Sequence, residues 1–289
     1  GMLIPPSVLL IVWAILTEVS VGALFIAGVI PGLLLGLVFV IYCAVWALHH
    51  PEGAPTMVGE AEHNDSSQAR AEKISGFGIV LLVVLVLGGI WTGVFTPTEA
   101  AAVSAVYAFL IALFVYKDIG LSDVPKVLTD SAKVSTMLMF IIANAYLFAF
   151  VLTTEQIPQA TSEWLNSLGL PWWGFLLVLN ILLLAAGNFM DPTSVVLILT
   201  PIVFPIAIEM GIDPIHLGVI MVLNMEIGLV SPPVGLNLFV TAGVADMTME
   251  QVIRAALPWL MVLLSVLMVV TYVPSISLAL PAWLGWGNG

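Results

Sequence analysis

The sequence predicts an all-α polytopic membrane protein, organised as an inverted repeat with broken helices and a re-entrant hairpin. Three observations predict it. The 289 residues are 61% hydrophobic and 8% charged, and the apolar runs are about 20 residues long, the length that crosses the hydrocarbon core of a bilayer. The six lysines and arginines collect on one side when those runs are threaded in alternation. Two Pro-Pro pairs, Pro5–Pro6 and Pro232–Pro233, interrupt apolar sequence at corresponding positions.

Composition excludes several classes. A mean hydropathy of +1.16 is more apolar surface than a soluble domain of this length could bury. Membrane β-barrels need short segments of alternating polarity, which are missing. The net charge of −12 offers no basic patch for nucleic acid, and most of the acids read as solvated loop residues. A single cysteine, Cys43, rules out an intramolecular disulfide. The chain opens on Gly1 rather than Met, directly in a helix-break motif, and we read it as a piece of a longer protein.

In chain order, residues 1–16 form a partial span, and full spans are expected at 24–48, 76–95, 98–116, 134–153, 217–241 and 257–280. Residues 173–207 are apolar except for "GNFMDPTS" and read as a re-entrant hairpin. The polar stretch 49–75 reads as a loop between two halves. Its His49, His50 and His63 fit no metal-binding spacing and read as solvated. The chain thus divides into 1–48, the end of a first repeat; the loop 49–75; and 76–289, a second repeat.

Orientation follows from the cations. Arg70 and Lys73 precede the span at 76, Lys117, Lys126 and Lys133 lie between the spans at 98 and 134, and Arg254 follows the span at 217. If the hairpin enters and leaves by one face, all six share a side, taken as cytoplasmic. Loops 49–75 and 117–133 are then cytoplasmic, and the C-terminus is on the periplasmic side.

The repeat is visible without gaps. An offset of 227 residues lays Gly1 on Gly228, Pro5 on Pro232, Pro6 on Pro233 and Pro31 on Pro258. The charge-derived topology runs the two copies in opposite directions. Inverted repeats with paired breaks characterise secondary transporters whose site lies at the bilayer midplane. Proline removes an N–H and clashes with the carbonyl one turn back, so the helix opens. The freed carbonyls need protein, water or an ion as partner in lipid. A kink satisfied by packing is the alternative. Doubling of the prolines, with Gly228, Ser231, Gly235 and Asn237 around the second pair, favours an ion site.

"AAGNFMDPTSVVLILTPIVFP" at 185–205 is the second unusual stretch. Asn188 and Asp191 sit in the middle of an apolar run, where an ionisable side chain is a site hypothesis by default. Asp191 also reads as a helix N-cap, with Pro192 first in the helix and Thr193 and Ser194 following. Capping alone would explain Asp191, and capping is compatible with ion binding. Hard oxygen ligands of this kind suit Na⁺. Glu226, two residues before Gly228, reads equally as a proton or ion ligand or as the partner of a helix neighbour. Asn144 and Asn180 read as interhelical hydrogen bonds. Thr96, Pro97 and Glu99 read as a capped helix start, and Ala100, Ala101, Ala102, Ser104 and Ala105 as a face for close helix approach.

Together the stretches "GMLIPPS", "LFIAGVIPGLLL", "GVFTPTEAAAV", "GNFMDPTSVVLILTPI", "GIDPIHLGVIMVLNMEIGLVSPPVGLNLFV" and "LPWL" resemble the large membrane subunit of tripartite ATP-independent periplasmic (TRAP) transporters, the DctM-like family. The likeness covers roughly the C-terminal two thirds of such a subunit. It implies an ion-transporter-type fold working as an elevator, with 76–153 as scaffold helices. It implies Na⁺-coupled import of an organic acid across the bacterial inner membrane, with Na⁺ as coupling ion and no cofactor. The acid would be a C4-dicarboxylate, a sialic acid or a similar carboxylate. The implied partners are a periplasmic DctP-like binding protein and a small four-helix DctQ-like membrane subunit, besides the lipid bilayer.

The resemblance also implies sites. One Na⁺ would bind between the tip at Asn188, Asp191 and Thr193 and the break at Gly228, Ser231 and Pro233. Another would use the break at Gly1, Ile4 and Pro5 with a hairpin outside this chain. Pro232, Gly235, Asn237 and Ser194 are the candidates for substrate contact, at helix starts whose positive ends suit a carboxylate. Two other readings remain: an intramembrane enzyme using Asp191 and Glu226, for which no metalloprotease or nucleophile motif is present, and a passive anion channel.

Overall fold

The computed structural model describes residues 3–49, 66–116, 119–156, 160 and 171–286. Gly1 and most of the loop expected at 49–75 lie outside them. The described residues are helical, with no strand among them. Five of the described helices are long and apolar enough to cross a membrane: Val21–His49, Pro97–Tyr116, Trp172–Phe189, Pro192–Glu209 and Met249–Tyr272. The protein is a multi-pass membrane protein.

The chain forms two compact units, residues 1–40 with 138–289, and residues 41–137. In the second unit, α3 (Ser66–Trp91) packs on α4 (Pro97–Leu110), and the Tyr107 hydroxyl donates to the Gly78 carbonyl at 3.0 Å. α4 starts as expected. Thr96 Oγ1 accepts from Glu99 N, and Glu99 Oε2 accepts from Thr96 N at 2.8 Å, a complete capping box. The small-residue face is narrower than expected: Ala100 is buried, whereas Ala101, Ala102 and Ala105 are exposed. The end of this span, Ile111–Tyr116, is a π-helix. α3 begins inside the stretch read as loop, and α5 (Val124–Thr154) begins inside the loop read at 117–133. Hydropathy marks the apolar middle of a helix. Polar end turns such as "SSQARAEK" continue the helix without changing that signal.

The larger unit is organised around one short helix. α1 (Val8–Thr17) and α2 (Val21–His49) open it. The hairpin follows as α6 (Trp172–Phe189) and α7 (Pro192–Glu209), then α8 (Pro214–Gly228), α9 (Leu236–Ala245), α10 (Met249–Tyr272) and α11 (Ser275–Trp283). Every residue of α8 from Ile215 to Met225 is buried, because α1, α6, α7, α10 and α11 all pack against it. A helix apolar on all sides needs that enclosure. Trp13 of α1 is fully buried, crosses Phe204 of α7 edge to face at 5.9 Å, and donates its indole N–H to the Pro214 carbonyl at 3.1 Å. Gly218 makes room for that ring: a Cβ there would stand 2.6 Å from the indole.

The span expected at 257–280 is two helices. Val273, before Pro274, leaves the helical region at φ −120°, ψ 79°, as the residue preceding proline tends to do. Pro31, Pro201, Pro205 and Pro258 stay inside helices; Pro31 is buried and Pro201 and Pro205 are half-buried, whereas Pro258 is exposed. α1 and α9 are ten residues each, and each ends on an acidic residue in the left-handed region, Glu18 at φ 58° and Asp246 at φ 51°.

Candidate functional site

Asp191 caps α7. Its Oδ2 accepts from Thr193 N at 3.0 Å and Ser194 N at 3.2 Å, with Pro192 first in the helix. The residue is exposed, whereas Thr193 and Ser194 are half-buried. The cap therefore uses the Thr193 backbone and leaves the Thr193 hydroxyl for other work.

The second break is as the prolines require. α8 stops at Gly228, and residues 230–235 are non-helical up to the start of α9 at Leu236. Val230 N reaches the Ile227 carbonyl and Ser231 N the Gly228 carbonyl, both at 3.1 Å, so the helix end tightens before it opens. The Pro5–Pro6 and Pro232–Pro233 bonds are both cis. Gly235 takes φ 39°, and a Cβ there would lie 2.7 Å from the Ser231 carbonyl oxygen. Asn237 N closes the loop on the Leu229 carbonyl at 3.0 Å. Ser231 is buried, and its hydroxyl donates to the Ile227 carbonyl at 2.8 Å. Pro233 and Asn237 are exposed.

Tip and break meet. Asn188, at the end of α6, donates from Nδ2 to the Pro232 carbonyl at 3.2 Å. Its Oδ1 is buried and has no hydrogen-bond donor among the described residues. A Cβ on Gly228 would stand 2.9 Å from the Gly187 backbone, so this approach requires glycine at 228. Asn188, Gly228 and Pro232 thus come together at one junction, flanked in sequence by Asp191, Thr193, Ser194, Ser231 and Gly235. The first break goes elsewhere: Leu3 and Ile4 lie against α2, where Gly28 faces the Leu3 carbonyl and Gly32 faces the Ile4 side chain.

Residues 1–276 match the family model described as "Tripartite ATP-independent periplasmic transporter, DctM component". The chain belongs to the DctM family. The large permease protein DctM of a C4-dicarboxylate TRAP transporter in Pseudomonas aeruginosa is 59% identical over 285 residues, covering 99% of this chain and 65% of that protein. Its namesake in Rhodobacter capsulatus is 49% identical over 301 residues, covering 99% of this chain and 67% of that protein. The sialic acid TRAP transporter large permease protein SiaM of Vibrio cholerae is 33% identical over 289 residues, covering 100% of this chain and 66% of that protein. The chain spans about two thirds of the length of these DctM relatives. The family is a transporter component and not an enzyme, which removes the intramembrane-enzyme reading of Asp191 and Glu226.

This DctM chain also holds a buried polar cluster, of which Asn180 alone was expected from the sequence. Asn224 Nδ2 donates to Asn180 Oδ1 at 2.7 Å, and Asn180 Nδ2 donates to Thr271 Oγ1 at 3.1 Å. His216 lies between the Ser277 hydroxyl at 3.3 Å and the Thr271 carbonyl at 3.2 Å. Asn180 makes the interhelical bonds expected of it. Asn144 does not: it is exposed and donates to the Phe140 carbonyl of its own helix at 2.7 Å. Asn224 and His216, polar within the apolar stretch 214–228, were the available signal.

Proposed function

We propose that the full-length protein is the permease subunit of a Na⁺-coupled importer of C4-dicarboxylates, working as an elevator in the bacterial inner membrane. A periplasmic DctP-like protein delivers the acid, and a DctQ-like four-helix subunit completes the membrane complex. The carrying observation is the junction of Asn188 with the Pro232 carbonyl, 3.2 Å apart. The amide oxygen of Asn188, Oδ1, buried without a donor among the described residues, would cost about 1–3 kcal/mol unless something satisfied it. A small hard cation does so, and amide, hydroxyl and carbonyl oxygens are its natural ligands. Asn188, Asp191 and Thr193 with Gly228, Ser231 and Pro233 supply them in this reading.

The substrate carboxylate then lies beside the ion, at Pro232, Gly235, Asn237 and Ser194. Helix starts at Pro192 and Leu236 favour negative charge there. Ion and anion stabilise each other, which couples the two bindings. Gly1, Ile4 and Pro5 hold a second Na⁺ with a hairpin outside this chain. The matched lengths and endings of α1 and α9 support reading the two breaks as an inverted pair. The names of the P. aeruginosa and R. capsulatus relatives support C4-dicarboxylates over sialic acid. Cations on one face support cytoplasmic loops at 49–75 and 117–133 and a periplasmic C-terminus.

Proteoliposomes carrying the full-length subunit with its small partner test the reading. Succinate uptake is expected only with the cognate binding protein and an inward Na⁺ gradient. Uptake that merely equilibrates succinate without Na⁺ would make the complex a passive channel.

A further inference from the structure

An amide pair is buried on the two helices that carry the tip junction. Asn180 of α6 and Asn224 of α8 are both 0% exposed. Asn224 Nδ2 also donates to the Ile220 carbonyl of its own helix at 2.8 Å, and Asn180 reaches α10 through Thr271. Along both helices the contacts advance together: Asn180 with Asn224, Gly187 with Gly228, Asn188 with Pro232. α6 and the broken helix are therefore parallel, and the three contacts form one seam. The seam starts about 12 Å below Asn188, at 1.5 Å per residue.

An apolar seam has several packings of similar energy. A buried, hydrogen-bonded amide pair has one, because a slip of a single residue strands both amides. One buried asparagine fixes coiled-coil register in the same way. The pair is also poor value as a stabiliser. Asn224 Oδ1 is buried without a donor among the described residues, a cost that leucines at both positions would avoid. Fixing a register is the best-attested use of polar residues buried at such a cost.

We propose that Asn180 and Asn224 are positioning residues for the ion site: they set the register of the first hairpin arm against the broken helix, and so hold Asn188 at the Pro232 carbonyl. The proposal rests on reading tip and break as a Na⁺ site.

The test uses the full-length subunit assembled with its small partner, in a background with Cys43 replaced. Asn180→Leu with Asn224→Leu removes both amides together. Two measurements are made: oxidative cross-linking between cysteines placed at 188 and 232, and the Na⁺ half-saturation of uptake without those cysteines. Melting in Na⁺-free buffer is expected to stay as in the parent. Cross-linking is expected to be lost, and Na⁺ half-saturation to rise about tenfold or more, as when the supports of ion ligands are removed. A folded Leu pair with parental cross-linking overturns the proposal. So does parental Na⁺ half-saturation when Asn188→Ala, run in parallel, raises it. If Asn188→Ala leaves Na⁺ half-saturation unchanged, the ion reading fails by itself and the cross-link still decides the register. Should the Leu pair not assemble, Asn180→Ser carries both measurements.

Discussion

Gly228 ends its helix against Gly187 so closely that a Cβ on Gly228 would lie 2.9 Å from the Gly187 Cα and carbonyl carbon. The reverse contact is looser, with a Cβ on Gly187 standing 3.3 Å from the Gly228 Cα. Gly228→Ala should therefore push the hairpin off the break and destabilise the fold by about 1–3 kcal/mol, the usual cost of overpacking. Gly187→Ala should cost less. Gly243, with open space around its Cβ position, is the control: its alanine variant should gain up to about 1 kcal/mol from helix propensity. Thermal unfolding of the purified full-length complex gives the order, and equal losses for Gly228→Ala and Gly187→Ala would contradict it.

The tip separates capping from ion binding. Asp191 caps through its side chain, whereas Thr193 contributes only its backbone N–H to that cap. Asp191→Ala should lose about 1 kcal/mol of stability with the cap, whatever else it does. Thr193→Ala should leave stability alone and raise the Na⁺ concentration needed for half-maximal uptake. Unchanged Na⁺ activation in a normally assembled Thr193→Ala complex would leave the tip a helix cap only.

The break follows from proline lacking an N–H. Pro232→Ala with Pro233→Ala restores two donors and removes the clash with the preceding turn. The helix should then extend past Gly228, withdrawing the Pro232-position carbonyl from Asn188. Na⁺ affinity and succinate affinity are expected to fall together in equilibrium binding. Loss of one with the other intact would break the proposed coupling.

Trp13 should report on packing alone. Trp13→Ala empties a fully buried site between α1, α7 and α8 and should cost about 3–5 kcal/mol. Trp13→Phe keeps most of the ring, loses the bond to the Pro214 carbonyl, and should cost about 1 kcal/mol. Neither should alter Na⁺ half-saturation in the fraction that remains folded. A shift in Trp13→Phe would bring α1 into the ion site.

Topology is open to a labelling experiment. Cysteines replacing Trp172 and Ile208, one at each foot of the hairpin, should react with an impermeant maleimide added to the periplasmic side. Labelling from opposite faces would reject the hairpin reading and with it the grouping of the six cations.

The sequence by itself determined the membrane class, the helix–tip–helix read at residues 173–207, the Asp191 and Thr96 caps and the break before Leu236. Each is local: apolar length, a cap residue before proline, or a missing N–H acts within a turn or two of its own position. Tertiary structure decided what those signals cannot reach. Asn188 and Pro232 are 44 residues apart in sequence, and their meeting depends on α6 lying parallel to α8. The Gly187–Gly228 approach and the Asn180–Asn224–Thr271 chain depend on the same packing. Pro274 broke its span while the half-buried Pro201 and Pro205 did not, since neighbouring helices can hold a proline in place and no local pattern records them. Partnership in a buried seam belongs to pairs of distant residues, and a single chain read in order shows only one member at a time.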